Sequence, residues 1–195
     1  MPDKSTRPVI QKDTRCASTT ARLFFAIWPD ETVQEEMARL AQRVDLESRC
    51  GGRKTRPENI HLTLVFIGEV DVIKLEALCR AACQTQSLGI RGFHLVFDSI
   101  RYWKHNQIVY ATAGVIPPEL THLVTGLQSA VSATGFELED RPYIPHITLM
   151  KRASCRGLPE LQKPIVWRVR EWMLVKSEQT SGGSFYSPVH RWSLA

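Results

Sequence analysis

Residues 59–68, NIHLTLVFIG, and residues 143–152, YIPHITLMKR, decide the reading of this chain. Each contains the order His, apolar, Thr, apolar: His61-Leu62-Thr63-Leu64 in the first and His146-Ile147-Thr148-Leu149 in the second. Both are apolar, β-branched runs bounded by turn residues, which predicts two strands. Alternate side chains of a strand share a face, so His61 projects with Thr63 and His146 with Thr148, while Leu62, Leu64, Ile147 and Leu149 point into a core. Chance supplies roughly 0.08 such tetrapeptides in a chain of this composition. Two strands then present two imidazoles and two hydroxyls, a set suited to acid-base chemistry on a phosphodiester. One ring acts as base, the other as acid, and the hydroxyls donate to phosphate oxygens. A repeated strand that uses His and Thr for packing alone is the competing explanation.

Working outward, LFFAIW at 23–28 reads as a buried strand, and Pro29-Asp30 opens an amphipathic helix with Val33, Met37, Leu40 and Val44 at helical spacing. A polar loop through Gly51-Gly52 leads to the first motif. A second helix is expected over 70–85, with Ile73, Leu75, Leu78 and Ala82 as core residues, followed by strands at 93–103 and 107–114. Pro117-Pro118 starts a third helix that stops at Gly135. The second motif strand, 144–151, precedes strands at 166–177 and 184–192. Helices alternating with pairs of strands give an α+β class: two similar lobes, each with a mostly antiparallel sheet. Residues 22–195 are read as a single bilobal domain, because no linker-like stretch divides the halves, and residues 1–21 as a mobile polar extension without a secretory h-region.

Composition narrows the function classes. The chain has 195 residues, 43% of them apolar, and no run approaches the roughly 18 apolar residues of a membrane span. The formal net charge is +5, with clusters at Arg49 to Arg56, at Arg141 and at Lys151 to Arg156, flanking both motifs. A polyanionic partner follows from that distribution as readily as a solvated basic surface. The cysteines at 16, 50, 79, 83 and 155 have no metal-ligand spacing. Cys79 and Cys83 fall four apart in a helical pattern, which reads as packing, and the chain is expected to be a cytoplasmic monomer with reduced thiols. No Cys/His cluster, paired-carboxylate motif or phosphate loop is present, so no metal, nucleotide cofactor or ATP is expected. His94, His105, His122 and His190 lie outside matching contexts and are read as structural or surface residues.

The chain resembles the 2H phosphoesterase superfamily, and within it the RNA 2',3'-cyclic phosphodiesterases, also called the 2'-5' RNA ligase family. The resemblance is carried by RLFFAIWP at 22–29, RPENIHLTLVFIGEV at 56–70, LEALCRAA at 75–82, RPYIPHITLMKR at 141–152 and SFYSPVHRWSL at 184–194. It implies two lobes related by a pseudo-twofold axis, each giving one motif strand to a central cleft. It implies metal-independent hydrolysis of RNA 2',3'-cyclic phosphate ends, tRNA fragments among them, to 2'-phosphomonoesters. His61 then protonates the 3' oxygen, His146 activates water, and Thr63 and Thr148 hold the phosphate.

The family places a cation five positions beyond the second motif His. Here that is Lys151, followed by Arg152, and regular alternation would put Arg152 on the face of His146. Phe25 matches a family aromatic on the first strand, where it would stack on a base or serve as an ordinary core residue. Two other activities fit the same residues: 2'-5' joining of tRNA halves by the reverse chemistry, and a non-catalytic RNA-binding module. The intact His and Thr pairs favour catalysis over the binding module, since binding alone needs cations and aromatics.

Overall fold

A computed structural model describes residues 20–181 and 183–195 of the chain. The first strand, β1 (Thr20–Ile27), begins three residues earlier than expected, and the remainder of the predicted extension lies outside the described residues. Helix α1 (Glu31–Ser48) follows, its first turn capped by the Asp30 carboxylate, which accepts from the Val33 N–H at 3.0 Å. Its buried face, Val33, Met37, Leu40, Ala41 and Val44, is the predicted one with Ala41 added. The short β2 (Arg53–Lys54) and a 3-10 turn at Pro57–Asn59 lead into β3 (Leu62–Asp71).

Further along, β4 (Phe93–Phe97), β5 (Ser99–Trp103) and β6 (Ile108–Thr112) follow helix α2 (Leu75–Gln86). Helix α3 (Pro118–Ala133) precedes β7 (His146–Lys151), β8 (Ile165–Val169), β9 (Glu171–Thr180) and β10 (Gly183–Ser193). One sheet runs β10-β9-β1-β3-β7-β6-β5, with β2 also on β7, and β4 pairs with β8 in a separate ribbon. Every pairing among the described strands is antiparallel. The two lobes are therefore β10-β9-β1-β3 and β7-β6-β5 with β2. They meet along β3 and β7 at the paired residues Leu62 and Ile147, both fully buried.

Several expectations are corrected. The strand expected over 93–103 is two strands in different sheets. Asp98 separates them, its carboxylate accepting from the Gly114 N–H and the Ser99 hydroxyl. The strand over 166–177 likewise divides at Arg170, whose carbonyl accepts from Leu194. The second helix starts later than expected because β3 continues to Asp71, whose side chain caps a 3-10 turn and leaves Ile73 81% exposed rather than in the core. Ala81 joins Leu78 and Ala82 as the buried face of α2.

The cysteine reading also changes. Cys50 and Cys155, which are 105 residues apart in sequence, form a disulfide, so the thiols are not all free and the argument from cysteine usage to a cytoplasmic location loses its ground. Cys79 is half-buried, whereas Cys83 is exposed and does not pack. No helix among the described residues is long and apolar enough to cross a membrane.

Candidate active site

Both motif histidines are fixed by the same local device. The chain entering each strand turns so that the ring Nδ1 meets the carbonyl two residues earlier, Asn59 at 2.7 Å from His61 and Ile144 at 2.8 Å from His146. A carbonyl only accepts, so each Nδ1 carries the proton, and Nε2 is left as the nitrogen that exchanges protons with a ligand. The carbonyls are themselves placed by neighbouring ties. The Asn59 side chain donates to the Ser184 carbonyl on β10 at 3.0 Å, and the Thr112 hydroxyl donates to the Pro145 carbonyl beside the second motif at 2.9 Å.

Aromatic rings hold each imidazole in place. His61 stacks on Trp28, with centroids 4.6 Å apart and planes 13° apart, and its other neighbours are Tyr186 at 5.0 Å and Phe24 at 5.2 Å. His146 meets Trp103 and Tyr110 edge-on, at 4.7 and 5.6 Å. The strands on the outer side of each motif strand supply these rings: β1 carries Phe24 and leads into Trp28, β10 carries Tyr186, and β6 and β5 carry Tyr110 and Trp103. Burial makes both imidazoles harder to protonate than a free histidine. For His61 the pKa falls to about 4, chiefly by desolvation, with Lys151 and His146 adding to the effect and the Asn59 carbonyl opposing it. His146 is lowered in the same sense, by desolvation first and then by Arg141.

Two cavities open beside the motifs and share Thr63. One, of about 330 Å³, holds His61, Thr63, Thr148 and Lys151 together with Arg22 and Arg53. The other, of about 340 Å³, is walled by Trp103, Tyr143, Ile144 and Arg141 and contains His146. The Tyr143 hydroxyl donates to the Thr63 carbonyl at 3.2 Å, tying the loop before the second motif to the first motif strand.

The cation after the second motif is placed by a departure from strand periodicity. The pairing of β6 with β7 shifts between Val109 and Tyr110, so Leu149 and Met150 are both buried and the alternation slips by one. That bulge turns Lys151 to the His61 cavity. Arg152 follows in the left-handed region at φ 56°, and its side chain does not line that cavity. Lys151 itself loses its proton more readily than an ordinary lysine, by burial first and then by repulsion from Arg53 and Arg22.

Phe25 is the clearest misplacement. It is fully buried on the opposite face of β1, packed on Trp172 and Trp192, and the aromatic that faces the cleft is Phe24. The physical reason is period two: Arg22, Phe24, Ala26 and then Trp28 share one face, whereas Leu23, Phe25 and Ile27 form the core face. Sequence reasoning also passed over Trp28, Tyr186, Arg22 and Arg53. The alternation in RLFFAIW carried a signal for Arg22 and Trp28. Tyr186 and Arg53 come from elements whose pairing the sequence does not reveal.

These features place the chain among phosphoesterases built on paired His-x-Thr strands. A family model described as LigT-like phosphoesterase matches residues 27–110. The RNA 2',3'-cyclic phosphodiesterase of Escherichia coli K12 is 32% identical over 178 residues, covering 91% of this chain and 98% of that protein. The enzyme of the same name from Methanocaldococcus jannaschii is 25% identical over 180 residues, covering 88% and 99%. The crystal structure of E. coli LigT complexed with 3'-AMP superposes with a TM-score of 0.82 at 30% identity, covering 90% of this chain and 99% of that one. The chain belongs to the LigT-like phosphoesterase family.

Proposed function

We propose that this protein hydrolyses the 2',3'-cyclic phosphate at the end of an RNA to a 2'-phosphomonoester, using His61 and His146 as its proton-transfer pair and no metal. The observation that carries this reading is the matched anchoring of the two imidazoles, each with Nδ1 on a carbonyl, on either side of a centre lined by Thr63 and Thr148. Opening the ring requires water to lose a proton on one side of phosphorus while the departing sugar oxygen gains one on the other. Two opposed imidazoles meet that requirement, each contributing about 10² to 10⁴ in rate. Thr63 and Thr148 donate to the non-bridging oxygens, and Lys151 supplies the positive charge that matches the phosphate.

In the roles the family resemblance implies, His146 takes the proton from water and His61 gives one to the 3' oxygen. In the free protein the more deeply desolvated His61 is the harder ring to protonate. The bound phosphate must therefore draw the proton toward His61, as a nearby negative charge does. The names and substrates of the relatives support the same activity here.

The direct test is incubation of the purified protein with a short RNA ending in a 2',3'-cyclic phosphate, followed by chromatography and phosphorus NMR. A 2'-phosphate product is expected. A 3'-phosphate would reverse the orientation of the bound ring, and absence of turnover would overturn the activity.

A further inference from the structure

The cavity beside His61 holds more positive charge than the proposed reaction consumes. Arg22, Arg53, Lys54, Arg56 and Lys151 all line it, and no carboxylate does among the described residues. Lys54 is matched by Asp45 at 2.6 Å. Lys151 suffices for the single negative charge of a cyclic phosphodiester. Arg56 has an interaction of its own, which leaves Arg22 and Arg53, and neither of these two is ion-paired among the described residues.

Both are nevertheless held in position. Arg22 lies over the ring of Phe66 at 5.1 Å, which orients the guanidinium without neutralising it. Arg53 reaches from β2 across to the β9–β10 hairpin, where its Nη1 lies 3.4 Å from the point a Cβ would occupy at Gly183. That glycine has φ +114°, so the wall stays bare backbone and the guanidinium lies directly against it. Arg22 and Arg53 are also both close enough to Lys151 to repel its charge. Like charges gathered on three different strands need a ligand with more than one negative charge.

The placement is directional. Ala26 on β1 pairs with Thr63, and Arg22 is four residues further along that strand, about 13 Å at ~3.3 Å per residue. Its long side chain spans part of that interval, so its charge sits beyond the reacting phosphate.

We propose that Arg22 and Arg53 form a second phosphate subsite, which receives the internucleotide phosphate one linkage before the cyclic end. The preferred substrate is then an oligonucleotide end and not a free 2',3'-cyclic mononucleotide. This inference rests on the phosphodiesterase reading.

The experiment compares kcat/KM for three substrates: adenosine 2',3'-cyclic phosphate, the dinucleotide ApA with the same cyclic end, and that dinucleotide with an uncharged methylphosphonate linkage. The native protein is expected to prefer the charged dinucleotide over the mononucleotide by about tenfold or more, the scale of one charge-assisted phosphate contact. The methylphosphonate should lose most of that preference. In the Arg22→Gln/Arg53→Gln protein the charged and uncharged dinucleotides should converge. Equal rates for the two dinucleotides in the native protein would overturn the subsite while leaving the phosphodiesterase reading intact. A difference that persists in the double variant would assign the contact to other residues. No turnover of any of the three would overturn both.

Discussion

Leu62 and Ile147 pair across the junction of the two lobes, and they are the middle residues of the two His-x-Thr motifs. In an antiparallel register the residues on either side are then crossed, so His61 stands opposite Thr148 and Thr63 opposite His146. Each His-Thr pair is therefore completed by the other lobe. The buried Leu62–Ile147 contact fixes the register on which all four depend.

Removal of either imidazole should abolish most hydrolysis. His61→Ala and His146→Ala are each expected to lower kcat/KM by about 10² to 10⁴, measured on cyclic-phosphate-ended RNA with circular dichroism to show that the fold persists. His61→Ala also empties a slot between Trp28 and Tyr186, so a His61→Gln protein should retain more stability at the same low activity.

The acid limb of activity and of stability should reflect the depressed imidazoles. With the His61 pKa lowered from 6.5 to about 4, the unfolded chain binds a proton that the folded one refuses. This contribution to stability is present above about pH 6.5 and is lost as pH falls toward 4, observable by urea titration across that range. For kcat/KM, which reports the free enzyme, a bell with both limbs below the ordinary histidine value is expected. Ring-proton NMR should show the His61 titration move upward when phosphate is added.

Activity should persist in excess EDTA. Two histidines on separate strands with two threonine hydroxyls make a poor ligand set for Zn²⁺ or Mg²⁺, which prefer thiolates and further histidines or carboxylates. Loss on chelation, restored by one particular ion, would contradict this.

Gly52→Ala should weaken the site from outside it. A Cβ there would lie 2.7 Å from the carbonyl oxygens of both Lys151 and Arg152, and φ is already +85°. The strand β7 must shift at its end, moving Lys151. A rise in KM and a stability loss of about 1 to 3 kcal/mol are expected from steady-state kinetics and denaturant melts.

Cleavage of the Cys50–Cys155 bond should destabilise the fold by about 2 to 4 kcal/mol, because the closed loop is long. The Cys50→Ser/Cys155→Ser protein and the reduced native protein should melt alike, and the addition of reductant should not affect the double variant.

How far the sequence was legible depended on what set each residue's direction. The motif strands and α1 follow from local periodicity, and the fold keeps them; His61 and Thr63 line one cavity, whereas His146 and Thr148 line different ones. Lys151 was misdirected by the same periodicity, because the bulge at Leu149–Met150 is a property of pairing with β6 and leaves no mark in the residues themselves. Phe25 was assigned by likeness to other chains although its own alternation placed Phe24 at the cleft. The disulfide and the reach of Arg53 to Gly183 join segments far apart in sequence, which no local pattern encodes.

The two cavities that share Thr63 are nearly equal in size yet unlike in chemistry, one cationic and one aromatic. The two His-Thr pairs by themselves have no direction: turned by half a revolution they present the same side chains to a phosphate. Polarity is imposed by the walls, which under the proposed phosphate subsite admit the strand from one end. On the proposed function, the direction of a bound RNA, and with it the oxygen that departs, is thus a property of side chains that never touch a transferred proton, and it is open to redesign without altering either His-Thr pair.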